Sequence, residues 1–155
     1  MKKVIYQNPL KYGYNPDKSG AKYTLDGVHY MNNGEFAEAI AKAHRGLEPK
    51  KDACTPFYID SDISNEKISV KSSRAHLQMI FKADTFEKAL NLYFEKTASA
   101  SVIWVVNIDD MITEYQMNMN EFREFTECWG SLQNTGFIRY KATSGKMIKW
   151  LEERV

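Results

Sequence analysis

Little in the composition assigns a class, and each shortage closes a route. There are two cysteines, Cys54 and Cys128, in 155 residues. They stand in no metal-ligand spacing and need not pair, so a reduced intracellular setting is expected. No stretch approaches the ~20 apolar residues of a membrane span. Met1–Gln7 carries no long apolar run behind its lysines, so it does not read as a secretory leader. A soluble, cytoplasmic protein without a membrane partner is the expectation. Charge of one sign is also missing: 21 Lys and Arg stand against 20 Asp and Glu, a net +1 that excludes a strongly basic nucleic-acid coat but permits a local basic groove. With 8 glycines and 4 prolines the chain has no low-complexity linker, no repeat and no second domain boundary, which predicts one domain. His29, His44 and His76 are scattered, with no carboxylate or cysteine at ligand spacing.

What the chain does have is a lysine- and tyrosine-rich start and a regular remainder. Residues 1–33 read as an N-terminal arm or loop segment broken by Pro9 and Pro16. Tyr6, Tyr12, Tyr14 and Tyr23 are interleaved with its lysines, a composition that can contact phosphates and stack on bases, or simply drape over a core. Lys11 and Lys22 are its candidate nucleic-acid contacts. From 34 to 155 the pattern predicts a single α/β domain. Helices are expected over Gly34–Gly46, Thr85–Lys96, about Asn120–Cys128 and Ser144–Glu153, from apolar residues at 3.6-residue spacing between capping signals. Ser101–Ile108 is almost continuously apolar and predicts a central strand buried on both faces. Phe137–Lys141 reads as a further strand, and Arg74–Phe81 is ambiguous between strand and helix. The expected architecture is a small mixed sheet flanked by helices.

The segment Pro56–Ser73 is the most informative. Phe57, Ile59 and Ile63 alternate on the way in, Ile68 and Val70 on the way out, with a polar Ser64-Asn65-Glu66 turn between. Asp60 and Asp62 share one face of the first strand; Ser69 and Lys71 share one face of the second. Two paired strands can therefore hold carboxylate and ammonium over one spot. Hydrolysing a phosphodiester asks for such a spot: a hard cation on oxygen ligands and a positive group near the phosphate. Asp62 is the best ligand candidate. Glu38, on the preceding helix, can complete the shell, with Glu35 as its substitute. The structural alternative is a solvated strand face with an Asp62–Lys71 ion pair worth at most ~1 kcal/mol, and acids that merely suit a helix's first turn.

The order of an acid-bearing helix, an Asp-bearing strand, a turn, a strand with Lys71 and then a helix resembles the PD-(D/E)xK, or restriction-endonuclease-like, nuclease superfamily. The residues that carry the resemblance are Gly34–Glu38, Asp62-Ile63 and Ile68–Ser73, within a topology spanning about 34–108. It implies a restriction-endonuclease-like fold and a Mg²⁺-dependent (Mn²⁺ also suits) DNA nuclease. Asp62, Glu38 and the Val70 carbonyl would hold the ion, and Lys71 would orient water or stabilise charge on the phosphate. The chain departs from the pattern at one position, where Ser69 replaces the acid two residues before the lysine. A hydroxyl holds Mg²⁺ less well than a carboxylate, so either Asp60, Glu35 or Glu66 substitutes, a serine-bound water serves, or catalysis is lost.

Other features are weaker. Asp109-Asp110 closes the buried strand, where solvating a loop explains it; Ser144-Gly145-Lys146 lacks the glycine frame of a phosphate loop and reads as a helix start. Arg139 and Lys141 on one strand face, with Lys146 and Lys149 a turn apart on a helix, form a candidate DNA-backbone grip, or a solvated face balanced by Glu152 and Glu153. The resulting expectation is a small metal-dependent DNA endonuclease, acting as a homodimer or with a protein partner that supplies targeting. The rival is a non-catalytic DNA- or protein-binding accessory protein of phage or mobile-element origin on the same scaffold.

Overall fold

The computed structural model describes residues 1–6, 23–25, 28–30, 33–45, 59–60, 67–72, 77–78, 82–97, 101–108 and 111–155. Its elements run β1 (Lys2–Tyr6), β2 (Tyr23–Leu25), β3 (Val28–Tyr30), α1 (Asn33–His44), β4 (Ile59–Asp60), β5 (Lys67–Ser72) and β6 (Leu77–Gln78). They continue through α2 (Phe86–Thr97), β7 (Ser101–Ile108), β8 (Met111–Asn118), α3 (Met119–Trp129), β9 (Gly130–Leu132), β10 (Ile138–Tyr140) and α4 (Gly145–Glu152). The first residues of the lysine-rich segment thus form a strand, and Arg74–Phe81 contains the short strand β6.

A five-stranded sheet in the order β1-β8-β7-β5-β4 forms the centre. Its pairings are antiparallel except β5 with β7, which run parallel with Ile68 opposite Ser101 and Lys71 opposite Trp104. A parallel pairing needs a crossover, and α2 supplies it. The chain is therefore a mixed α/β protein with a small mixed sheet flanked by helices. A second, antiparallel sheet has the order β6-β10-β9, and β2 pairs with β3.

β7 is buried on both faces, as its apolar run predicts. Val102, Trp104 and Val106 enter one core with Leu90 and Tyr93 of α2, Phe122 and Phe125 of α3, Met147 and Leu151 of α4, and Ile138 and Tyr140 of β10. Ile103 and Val105 enter another with Ala37, Ala39 and Ile40 of α1, Ile68 of β5 and Ile112 of β8. α1 is buried around much of its circumference because it contacts β5 and also the β2–β3 pair. Alanines at three of its buried positions let backbone approach closely on both sides.

Helix starts follow local chemistry. Thr85 Oγ1 accepts from Lys88 N ahead of α2. Asn118 and Glu121 form a reciprocal capping box at α3, and Ser144 caps α4 through Met147 N. Gly136 sits at φ 84° in the β9–β10 turn, donating to Gln133 O and accepting from Ala83 N at 2.9 Å. A Cβ there would stand 2.9 Å from Ala83 O, so both the conformation and the contact ask for glycine.

Candidate functional site

β5 alternates in the way the predicted site needs. Ile68 is buried on the α1 side and Val70 packs into the same core. Lys71 takes the opposite face, level with Trp104, and its Nζ lies 5.5 Å from the ring centroid of the fully buried Tyr93. Cation–ring attraction at this distance is worth about 1 kcal/mol. The residue as a whole is half-buried, yet its ammonium is sufficiently removed from water that burial pushes its pKa below the ordinary lysine value. The Glu38 carboxylate acts against that shift and favours the charged form. Burial is the larger effect, so Lys71 gives up its proton more readily than a surface lysine.

Glu38 is half-buried on α1, between Ala37 and Ala39, which are both in the core. Glu38 and Lys71 are thus brought within electrostatic reach of one another from different elements. Val70 contributes its backbone beside Lys71. For Ser69 the backbone alone is described; it pairs with Val102. Asp60 pairs in register with Lys67 where β4 meets β5. Asp62 lies outside the described residues, as do Lys11 and Lys22, and the side chain of Glu35. Among the described residues no three His, Cys, Asp or Glu side chains gather as a metal set. Among the proposed carboxylate ligands, Glu38 alone has a described side chain.

Of the predicted DNA contacts, Arg139 and Lys141 are described and lie on other elements. Arg139 lies on β10 between the buried Ile138 and Tyr140 and so points to the outer face of its sheet; Lys141 is exposed immediately after it. Lys149 on α4 lies 3.9 Å from Glu153, the residue that caps the helix.

Two participants are not legible as site residues in the sequence. Tyr93 forms the floor under Lys71, and the only signal is its place one turn after Ala89 and Leu90 on the buried stripe of α2. The second is a buried ion pair that fixes α1. Glu114, 1% exposed on β8, accepts from both terminal nitrogens of Arg45 at 3.2 and 2.9 Å, and Arg45 also donates to Ala41 O. A glutamate within a strand gives no hint that an arginine at the end of a distant helix will meet it.

Comparison with protein-family models, curated proteins and solved structures found no match. Among the described residues no helix is long and apolar enough to cross a membrane.

Proposed function

We propose that the protein is a metal-dependent DNA nuclease of the restriction-endonuclease-like type. The observation that carries this reading is a Lys71 on β5 withdrawn from water, with the Glu38 carboxylate of α1 near enough to favour its charged form. The chain order α1, β4, β5, α2, β7, with β5 and β7 parallel, supports it because it sets the acid-bearing helix and the lysine-bearing strand around one sheet. Asp62, two residues beyond β4, is the second carboxylate of the proposal.

Glu38, Asp62 and the Val70 carbonyl would hold Mg²⁺ or Mn²⁺. The bound ion would neutralise phosphate charge and lower the pKa of a water. Lys71 presents its ammonium to the scissile phosphate as negative charge grows on it; set against Tyr93 rather than bulk water, it needs little reorganisation to do so. A homodimer or a targeting partner belongs to the same proposal.

Ser69 favours a second reading, in which the scaffold binds DNA or a protein without cutting. One assay separates the two: nicking of supercoiled plasmid and cleavage of single-stranded DNA with Mg²⁺ or Mn²⁺, for wild type, Asp62→Ala, Glu38→Gln and Lys71→Ala. Cleavage that needs the metal and drops at least about 100-fold in each variant is expected, the range of general acid–base and electrostatic contributions. Absence of cleavage by the wild type on both substrates would sink the nuclease and leave the binder.

A further inference from the structure

The distribution of unpaired charge singles out one surface. Among the described residues, ion pairs take up Lys3, Arg45, Lys88, Arg123, Lys149 and Arg154. Lys42 has an interaction of its own, and Lys71 faces Tyr93 and Glu38. Among the cations whose side chains are described, those left without a carboxylate partner are Lys2, Lys82, Arg139, Lys141 and Lys146; the side chains of Lys67 on β5 and Lys96 on α2 lie outside the described residues. Apart from Lys2 on β1, all belong to β10 and its surroundings. Arg139 points outward from the strand, and Lys141 continues it, its N–H donating to Trp129 O at 2.8 Å and extending the β9 ladder. Lys82 adjoins the hairpin turn, where Ala83 N donates to Gly136 O. Lys146 is exposed in the first turn of α4, at that helix's positive end.

We propose that this outer face of the β6-β10-β9 sheet, with its two flanking turns, grips the phosphate backbone of double-stranded DNA. The choice of nucleic acid rests on the nuclease reading; the choice of duplex comes from the surface. Exposed large apolar residues among those described are confined to Ile5 and Val155, neither of them on this face. A single-strand groove offers aromatic platforms for bases, and a membrane-binding face buries apolar side chains among headgroups. Among the described residues of this face no large apolar side chain is exposed, and Phe137, in alternation with Arg139, is half-buried. The face presents cations on a strand whose inward residues, Ile138 and Tyr140, are 0% and 1% exposed, so the charges are held by a fixed backbone. Arg139 adds a planar fork that matches phosphate oxygens. Such contacts position a duplex without reading its sequence.

The test is fluorescence anisotropy with a labelled 20-base-pair duplex and the same-sequence single strand, in EDTA so that binding is read without cleavage. Contact of all four cations with phosphates gives a slope of log affinity against log salt near −3.6, roughly a 150-fold loss between 50 and 200 mM. Arg139→Ala with Lys141→Ala should reduce that slope by about 2. Lys2→Ala with Lys88→Ala removes the same charge elsewhere and should leave the slope in place. Should the first pair unfold the chain, Lys82→Ala with Lys146→Ala carries the same expectation from positions outside the strand. Equal weakening by the control pair would reduce the effect to net charge and overturn the proposal. So would preference for the single strand, or binding to vesicles of anionic phospholipid with none to the duplex. Because divalent ions are absent, a failure of the nuclease reading leaves this result standing.

Discussion

The two faces of the five-stranded sheet are built from different materials. Under α2, α3 and α4 lie interlocked rings: Trp104 is 4.6 Å from Phe125 and 5.2 Å from Tyr140, and Phe122 and Phe125 stack at 6.2 Å. Under α1 lie alanines, isoleucines and a valine, with the Arg45–Glu114 pair at one end. Aromatic contacts bring area and mutual orientation at once. Small aliphatic side chains bring area without direction, and on that face the directional contact is ionic. The aromatic face therefore supplies most of the cohesion, and the thinner one uses a charged pair to fix the helix that carries Glu38.

Substitutions can break or sharpen this contrast. The largest loss is expected for Trp104→Ala, about 3–5 kcal/mol in urea denaturation, from deleted contacts and the cavity left behind. Trp104→Phe should cost much less, because it keeps a ring and removes an indole N–H that is buried with no hydrogen-bond partner among the described residues. Similar costs for the two would mean that ring packing is not what the site rewards.

Next comes Arg45→Ala, expected to cost about 3 kcal/mol by removing the guanidinium that pairs with the buried Glu114 carboxylate. Replacing both partners by Met should recover part of that loss. An effect of a few tenths of a kcal/mol, the scale of an exposed pair, would show that α1 is fixed by packing alone.

Lys71→Met should have the opposite sign and a smaller size. The folded state lowers the pKa of Lys71, so in the interval between that value and the ordinary lysine value the unfolded chain binds more protons. Wild-type stability therefore rises with pH through that interval, and below it the buried charge is a standing cost. The variant should be the more stable near pH 7, with the difference closing by pH 10 to 11. Urea midpoints across that range decide it; a less stable variant at pH 7 would mean that Glu38 and Tyr93 outweigh desolvation.

The smallest effect is expected at the sheet's outer corner. Glu152 pairs with Lys3 and accepts from the Tyr115 hydroxyl; these contacts, Lys3 first, hold its carboxyl below the usual range. Its side chain is 38% exposed, so Glu152→Gln should cost under ~1 kcal/mol and less in high salt. That contribution is present above the ordinary glutamate pKa and disappears as pH falls through the lowered folded value. Thermal melts of the two proteins should therefore converge in acid, and a gap that persists at pH 2 would point to packing instead.

Elements whose residues obey one rule were legible in the sequence. β7 reads as a buried strand because Val102 to Val106 are apolar without interruption, and the helices read from their spacing and caps. β8 does not, because Ile112, Glu114, Tyr115 and Met117 are all buried and the glutamate belongs to an ion pair made by tertiary contact. β1 is masked by its lysines, and β6 and β9 are too short to establish a period. At the candidate site, strand alternation sufficed to place Lys71; Glu38 reads as a first-turn acid, but α1 begins at Asn33 and sets it in the second turn. Their electrostatic contact and the Tyr93 floor depend on how α1 and α2 dock, which no local pattern encodes.

The single parallel pairing has a consequence in time. β7 and β8 can zip from adjacent ends, with Ile108 opposite Met111, at little loop-closure cost. β5 can reach β7 only after α2 has crossed between them, so Lys71 meets the level of Trp104 through a long-range contact. Refolding should therefore protect the amides of β7 and β8 before those of β5, as pulsed hydrogen exchange would record. Simultaneous protection of all three would refute this order; otherwise the Lys71 environment is among the last parts of the fold to come into being.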